Sequence, residues 1–275
     1  MDRDRNLGRQ PLRDEVRAPV APLFVPGNRP ERFAKAAATD ADAVIIDLED
    51  AVDPADKAAA RDNLAAHAIS DKPVIARLNG AESEWWEDDL ALVRSARLDG
   101  VMVPKAEDAD ALKAAGAGGL AVIALVETAR GLSRLADLLA VKGVVCVGFG
   151  SLDFALDLGC EPDWEALSLA RCTFVYQSRL AGKSAPIEGV TPAFDNPALV
   201  EEEARRARAL GFGGKLAIHP KQVAPIRAAF RPDEAAIRWA EAVVASATSG
   251  AAVGVGGAMV DKPLVERARA ILATR

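Results

Sequence analysis

Two acidic residues carry the first chemical signal in this sequence. Glu127 closes the apolar run LAVIALV (120–126), and Asp153 follows a second run, VVCVGF (144–149), within the stretch GSLDF (150–154). A strand end needs a polar group only to meet water, and serine or asparagine would serve. A carboxylate aimed along the axis of a buried strand asks for a counter-charge. Only one βα unit separates the two acids, so neighbouring strands would hold them at similar height with their oxygens converging. A hard divalent ion, usually Mg2+, is bound by one or two carboxylates together with waters and substrate oxygens. In the reading without a metal, Glu127 solvates a strand end and Asp153 is a first-turn acid favoured by the helix macrodipole.

Other strand-like runs also end in polar residues. AVIIDL (43–48) supplies Asp47 and leads into Glu49 and Asp50, acids able to hold metal-bound waters. PVIARL (73–78) carries Arg77, whose planar fork suits a carboxylate, and Asn79 follows it. That carboxylate belongs either to a ligand or to Asp47 or Glu49, which would make a structural ion pair. Lys105, in VPKAE (103–107), is a candidate Schiff-base lysine or a salt-bridged rim lysine. His219 has no GxSxG or catalytic cysteine motif to work with, and reads as structural or at most a rim contact. His67 lies within a helical pattern and reads as solvated, while Trp85 and Trp86 head a helix and read as packing.

The elements that must position these residues form one repeating pattern. Eight β-type runs, at 20–25, 43–48, 73–78, 101–104, 120–126, 144–149, 186–190 and 215–218, alternate with helical segments. One such segment follows Asp53 as N-cap with Pro54 at the first helical position, and another is the amphipathic stretch TPAFDNPALVEEEARRARAL. Nearly continuous apolar strands between helices need both sheet faces covered, which predicts a (β/α)8 barrel over residues 20–232. A doubly wound sheet competes, but no Gly-rich turn follows the first strand, and GVGG at 254–257 comes too late. Residues 233–275 exceed what a barrel needs and predict a helical C-terminal extension, joined through SGAAVGVGGA (249–258). In a barrel of this kind all strand C-termini point to one rim, where active sites are built.

The composition narrows the ligands. The chain has 275 residues, half of them hydrophobic, and a formal net charge of −6, which argues against a nucleic-acid surface. An anionic ligand must then be held by a few local cations, with Arg29, Arg77 and Lys105 as candidates. Cys146, Cys160 and Cys172 are odd in number and lack CxxC spacing, so they are expected to be reduced, mostly buried and cytoplasmic. Residues 1–19 lack an apolar core and read as a solvated tail, not a signal peptide. No apolar run approaches the length of a membrane span.

Taken together, FVPGNRPERFAKA (24–36), AVIIDLEDAV (43–52), ARLN (76–79), VPKAE, IALVETARG (123–131), GSLDF, GFGGKLAIHPKQ (211–222) and GAMVDKP (257–263) resemble the citrate lyase β-subunit family of CoA-ester lyases. That family includes malyl-CoA and citramalyl-CoA lyases within the HpcH/HpaI aldolase superfamily. The resemblance implies that Glu127 and Asp153 ligate Mg2+. It implies that Arg77 holds the carboxylate of a 2-oxo acid, and that backbone amides near Gly150 and Ser151 contact the same fragment. It also implies a catalytic role for Asp261 as an acid/base group supplied by a neighbouring subunit, hence a homo-oligomer, a trimer, acting on a CoA thioester. Asp261 also sits two residues before Pro263, where it would serve as a helix N-cap. Glu188, in PIEGV, stands where the family often carries aspartate, and its longer side chain would alter the pocket or shift a supporting contact. A true citrate lyase β subunit, working on a carrier-bound citryl group, shares these motifs. A lysine-dependent aldolase and a metabolite-binding protein without turnover are the readings outside that family chemistry.

Overall fold

The computed structural model describes residues 18–248 and 261–273. Among them eight parallel strands form one sheet in sequence order. They are β1 Leu23–Pro26, β2 Val44–Asp47, β3 Val74–Arg77, β4 Gly100–Val103, β5 Ala121–Val126, β6 Val144–Phe149, β7 Ile187–Glu188 and β8 Gly214–Lys215. The sheet closes on itself: Leu23 bridges Ala217 in parallel, and the Phe24 amide donates to the Ala217 carbonyl at 2.8 Å. Helices follow the strands, so each strand is covered on both faces and β2, β4, β5 and β6 are buried at every position. The expected (β/α)8 barrel is the fold.

Its interior is filled by one set of alternating side chains, among them Ile45, Ile75, Met102, Ile123, Leu125, Cys146 and Leu216. The pleat sends their strand neighbours, such as Val44 and Ile46, to the opposite face. Parallel register places the strand ends side by side: Asp47 pairs with Arg77 across β2 and β3, and Val126 with Phe149 across β5 and β6. The residues that follow therefore leave the sheet at a common level.

The chain divides into two compact units between Arg227 and Ala228. In the second, helices Glu234–Thr248 and Lys262–Leu272 pack around Ala240, Val243 and Ala268, with Trp239 and Leu264 beside them. The glycine-rich stretch 249–258 and most of the 1–19 tail lie outside the described residues.

Three local expectations need correcting. Asp53 precedes a 3-10 turn, Pro54–Asp56, and its side chain makes no capping bond there. His67 is buried, with Nε2 bonded to the Arg97 carbonyl at 2.8 Å, because it lies on the inward side of its helix end. Only Cys146 of the three cysteines is buried, where burial pushes its thiol up to about 12; Cys160 is half-buried and Cys172 exposed. Of the two tryptophans, Trp86 packs inward while Trp85 lies under the Lys57 ammonium, 4.9 Å from its ring centre.

Candidate active site

A cavity of about 370 Å³ opens at the C-terminal end of the barrel. Its apolar floor is Phe24, Leu125, Phe149, Val190 and Leu216, and its polar wall is Asp47, Asp50, Arg77, Glu127, Ser151 and Asp153. Every one of those polar residues sits at or just after a strand end, where the sequence placed it.

Glu127 is the most constrained of them. It is 2% exposed, and its Oε1 accepts the Lys105 backbone amide at 2.8 Å. Lys105 reaches that amide position with φ of 45°, the left-handed region that a non-glycine residue enters only when its surroundings hold it there. Burial, then the nearby Glu49 charge, pushes the Glu127 carboxyl up to about 8, and Asp153 adds to the push. On the other side Gly150 leaves the space that Glu127 fills. A Cβ built on Gly150 would collide with the carboxylate and lie 2.6 Å from the Glu127 Cβ. Gly150→Ala should therefore turn the carboxylate out of place and weaken Mg2+ binding by about 10- to 100-fold, the range for a disturbed ligand support. Calorimetric titration of the folded variant checks this.

The donor set suits Mg2+. Two carboxylates that repel each other across a cavity favour a cation between them, and among the described residues no group of three His, Cys, Asp or Glu could hold a metal ion by itself. Mg2+ needs fewer protein ligands because water and substrate complete its octahedron. Glu127 and Asp153 are the residues that would hold it.

Arg77 does double duty at the wall. Its Nε and one terminal nitrogen grip Asp47 at 2.7 and 2.6 Å, while the other terminal nitrogen lies 3.1 Å from Glu49 and 3.3 Å from Asp50. The guanidinium stacks 4.9 Å from the Phe24 ring centre. The ion pair with Asp47 that the sequence allowed is present, and the arginine still lines the cavity. Glu49 is buried, so its carboxyl rises despite Arg77, and its Oε1 accepts from the Lys105 ammonium at 2.8 Å. Burial opposes the Lys105 charge, but the bond to Glu49 and the charges of Glu49, Glu127 and Asp50 together outweigh it, and the ammonium sits above its ordinary pKa. A Schiff-base lysine needs the reverse, a depressed pKa and a free amine.

Two candidates are placed away from the roles assigned to them, and a third has a local role within its own chain. The Gly150 amide is taken by the Val126 carbonyl at 3.0 Å, because the chain continues the β5 ladder there. The amides on offer are those of Ser151, Leu152 and Asp153, in the first turn of helix Ser151–Leu158, where N–H groups have no intrahelical acceptor. Arg29 is exposed, bonded to Glu31 at 2.8 Å, and does not line the cavity, since its charge finds a nearer partner two residues on. Asp261 caps helix Lys262–Leu272, accepting the Leu264 amide at 3.0 Å, as its position before Pro263 allowed. His219, half-buried, lies with its ring 4.9 Å from that of Phe194 and accepts the Lys221 amide at Nδ1, outside the cavity lining.

Support beneath the site was not visible in the sequence. Glu188 is buried and takes Arg171 Nε at 2.8 Å, and Arg171 is sandwiched 4.0 Å from Trp164. Glu188 therefore braces β7 from outside the cavity. Lys215, also buried, donates to the Gly189 carbonyl at 2.7 Å and lies 3.2 Å from Glu203. Lys57 donates to the Leu48 and Glu49 carbonyls and to Asn79, tying the loop after β2 to the end of β3. The one signal for these was a charge inside an apolar context, which says that a partner exists and not which.

The HpcH/HpaI aldolase/citrate lyase family model matches residues 21–220, the span that contains every cavity residue above. The chain belongs to this family. It is 35% identical to a citrate lyase subunit beta-like protein of Deinococcus radiodurans, over 91% of this chain and 95% of that one. It is 32% identical to a (3S)-malyl-CoA thioesterase of Cereibacter sphaeroides, over 91% and 90% of the two chains. The crystal structure of CitE from Mycobacterium tuberculosis in complex with magnesium, acetoacetate and coenzyme A superposes with a TM-score of 0.86 at 34% identity. That match covers 94% of this chain and 99% of the other. The family is thus one of citrate lyase-type proteins with thioesterase relatives, and Asp261 lies beyond the matched span.

Proposed function

We propose that the protein is a Mg2+-dependent carbon–carbon lyase that cleaves, or forms, a β-hydroxyacyl-CoA thioester such as citramalyl-CoA or malyl-CoA, giving acetyl-CoA and a 2-oxo acid. The observation that carries the reading is the pair Glu127 and Asp153 at the mouth of a cavity that also holds one arginine and an apolar floor. The similarity to a protein crystallised with magnesium, acetoacetate and coenzyme A supports the same choice of metal and ligands.

Cleavage breaks the bond between Cα and Cβ of the thioester. A base takes the hydroxyl proton, the C–O bond becomes the ketone of the 2-oxo acid, and the electron pair of the broken bond passes into the thioester enolate. That enolate is protonated at carbon to give acetyl-CoA. Mg2+, when bound, lowers the pKa of the hydroxyl and stabilises the developing charge. Arg77 neutralises the 2-oxo acid carboxylate, aided by the first-turn amides of helix Ser151–Leu158. Asp47, Glu49, Asp50 and Lys105 hold Arg77 and Glu127 in place. The apolar floor excludes water from the enolate, which matters because water attacking the thioester turns the same site to thioesterase or malate-synthase chemistry.

Asp261 is assigned the acid/base role from a neighbouring copy, in a homo-oligomer, a trimer. A cap that makes a single exposed hydrogen bond is free to exchange it for a substrate. Asp261→Asn keeps the cap and removes the proton transfer, so turnover should fall on the order of 100-fold with Mg2+ and oxo-acid binding intact. Mixing Asp261→Asn with Glu127→Ala subunits should restore sites that hold both groups; no recovery after verified exchange refutes donation between copies.

A panel of CoA thioesters, with free CoA and oxo acid followed separately in both directions, tests the whole reading. Oxo acid and acetyl-CoA released in step establish the lyase. Free CoA released without oxo acid selects the thioesterase, the second reading that the Cereibacter relative favours. Cleavage of carrier-bound citryl groups but not free CoA esters selects a citrate lyase β subunit, and binding without turnover selects a non-catalytic protein.

A further inference from the structure

Helix Ser168–Leu180 is apolar on both sides. Its inner face buries Ala170, Phe174 and Ser178, together with Arg171 in its ion pair with Glu188. The opposite face should then be charged, as it is on helix Pro197–Leu210, which carries Glu201, Glu202, Arg205 and Arg208. Instead it presents Leu169, Cys172, Tyr176 and Leu180, which recur at helical spacing along one side. Leu169 is 77% exposed, Tyr176 63% and Leu180 69%. Thr173, between them, turns its hydroxyl back to the Leu169 carbonyl at 2.8 Å.

We infer that this face is an interface between copies of the chain, and the oligomeric reading above gains from it a surface that the catalytic argument does not use. Two observations choose a second copy as the occupant. The first is charge: the helix carries no acidic residue in a chain with 40 of them and a net charge of −6. Two copies repel over most of their surfaces, and this helix is a place where like acids do not meet. Arg179, at the edge, is the one exposed cation on the helix and can reach acids on the neighbouring copy. The second is area. Two leucines and a tyrosine this exposed offer on the order of 400 Å² of side-chain surface, the size of the largest patch on an ordinary monomer. With Cys172, Thr173 and the flanking residues, a matching area on a second copy would bring the total toward the roughly 1,000 Å² of burial expected of a specific interface.

The test is the mass of the full-length protein by sedimentation equilibrium from 0.1 to 50 μM. The wild type should be an oligomer, and Leu169→Glu/Leu180→Glu should lower its mass toward the monomer, because each charge would be buried unpaired. Arg205→Glu, on the charged helix, should leave the mass unchanged. Retention of the oligomer in the double variant overturns this surface while sparing the oligomeric reading, whereas a monomeric wild type overturns both. If the double variant does not fold, alkylation of Cys172 in the wild type decides, with mass spectrometry separating it from Cys160. Protection of Cys172 that appears as concentration rises supports the interface; equal reactivity at all concentrations overturns it.

Discussion

Glu127→Ala should abolish Mg2+ binding and lower kcat/KM by on the order of 1,000-fold or more, since a bound Lewis acid supplies several kcal/mol to the developing charge. The fold should survive. Glu127 is buried among Glu49 and Asp153, so its loss relieves repulsion and costs one acceptor for the Lys105 amide. Glu127→Gln is the sharper variant because it keeps that acceptor and the volume. The same environment fixes a pH signature. Burial and Glu49 raise this carboxyl from 4.5 to about 8, so the metal-free fold favours the protonated acid. Its contribution to stability is complete below pH 4.5 and is lost as pH rises through about 8. A metal ligand must be ionised. Affinity for Mg2+ should therefore rise with pH and level off above 8, and binding at pH 7 should release close to one proton. Calorimetry in buffers of different ionisation enthalpy measures that proton, and Glu127→Gln should show neither the proton nor the binding. Full activity in excess EDTA would defeat the assignment.

How far the sequence led can be judged on particular residues. The run at 144–149 is β6, and the run at 120–126 is β5 to within a residue, because long apolar β-branched segments bounded by turn residues have few other solutions. β7 shrinks to two paired residues within the run 186–190, and β8 to Gly214–Lys215, which begins one residue before the run 215–218, since barrel closure is made partly by irregular backbone such as the Ala217 bridge to Leu23. Rim residues were legible because a strand end fixes both level and direction: Asp47, Arg77, Glu127, Ser151 and Asp153 all line one cavity. What they bond to was not. Arg77 had two candidate partners and takes both, with Asp50 besides. The Arg171–Glu188 and Lys215–Glu203 pairs join residues with no periodic relation, and the left-handed backbone at Lys105 follows from a contact 22 residues away. The exposure of Cys172 went unread because an apolar neighbourhood in sequence says nothing about which side of a helix faces out.

Arg77 joins two roles that different substitutions separate. Arg77→Ala leaves Asp47, a buried carboxylate, with only the backbone amides of Glu49 and Ala51, at 2.9 and 3.2 Å. Breaking a buried pair in this way costs about 3–5 kcal/mol, so the alanine variant should show a lowered urea midpoint as well as lost activity. Activity alone would then say little. Arg77→Lys keeps a cation beside Asp47 and should stay folded, but the ammonium is a compact point charge without the planar fork that grips Asp47 along one edge while a second terminal nitrogen reaches elsewhere. The lysine variant should lose on the order of 100-fold in kcat/KM, a cost of about 2.7 kcal/mol, near that of one missing donor in a preorganised site. The loss should appear mainly in KM for the 2-oxo acid in the condensation direction, with KM for the CoA ester and affinity for Mg2+ nearly unchanged. That split follows from the proposed role, in which the guanidinium binds the oxo-acid carboxylate and not the thioester. Wild-type kinetics in Arg77→Lys would make this arginine a brace for Asp47 and nothing more.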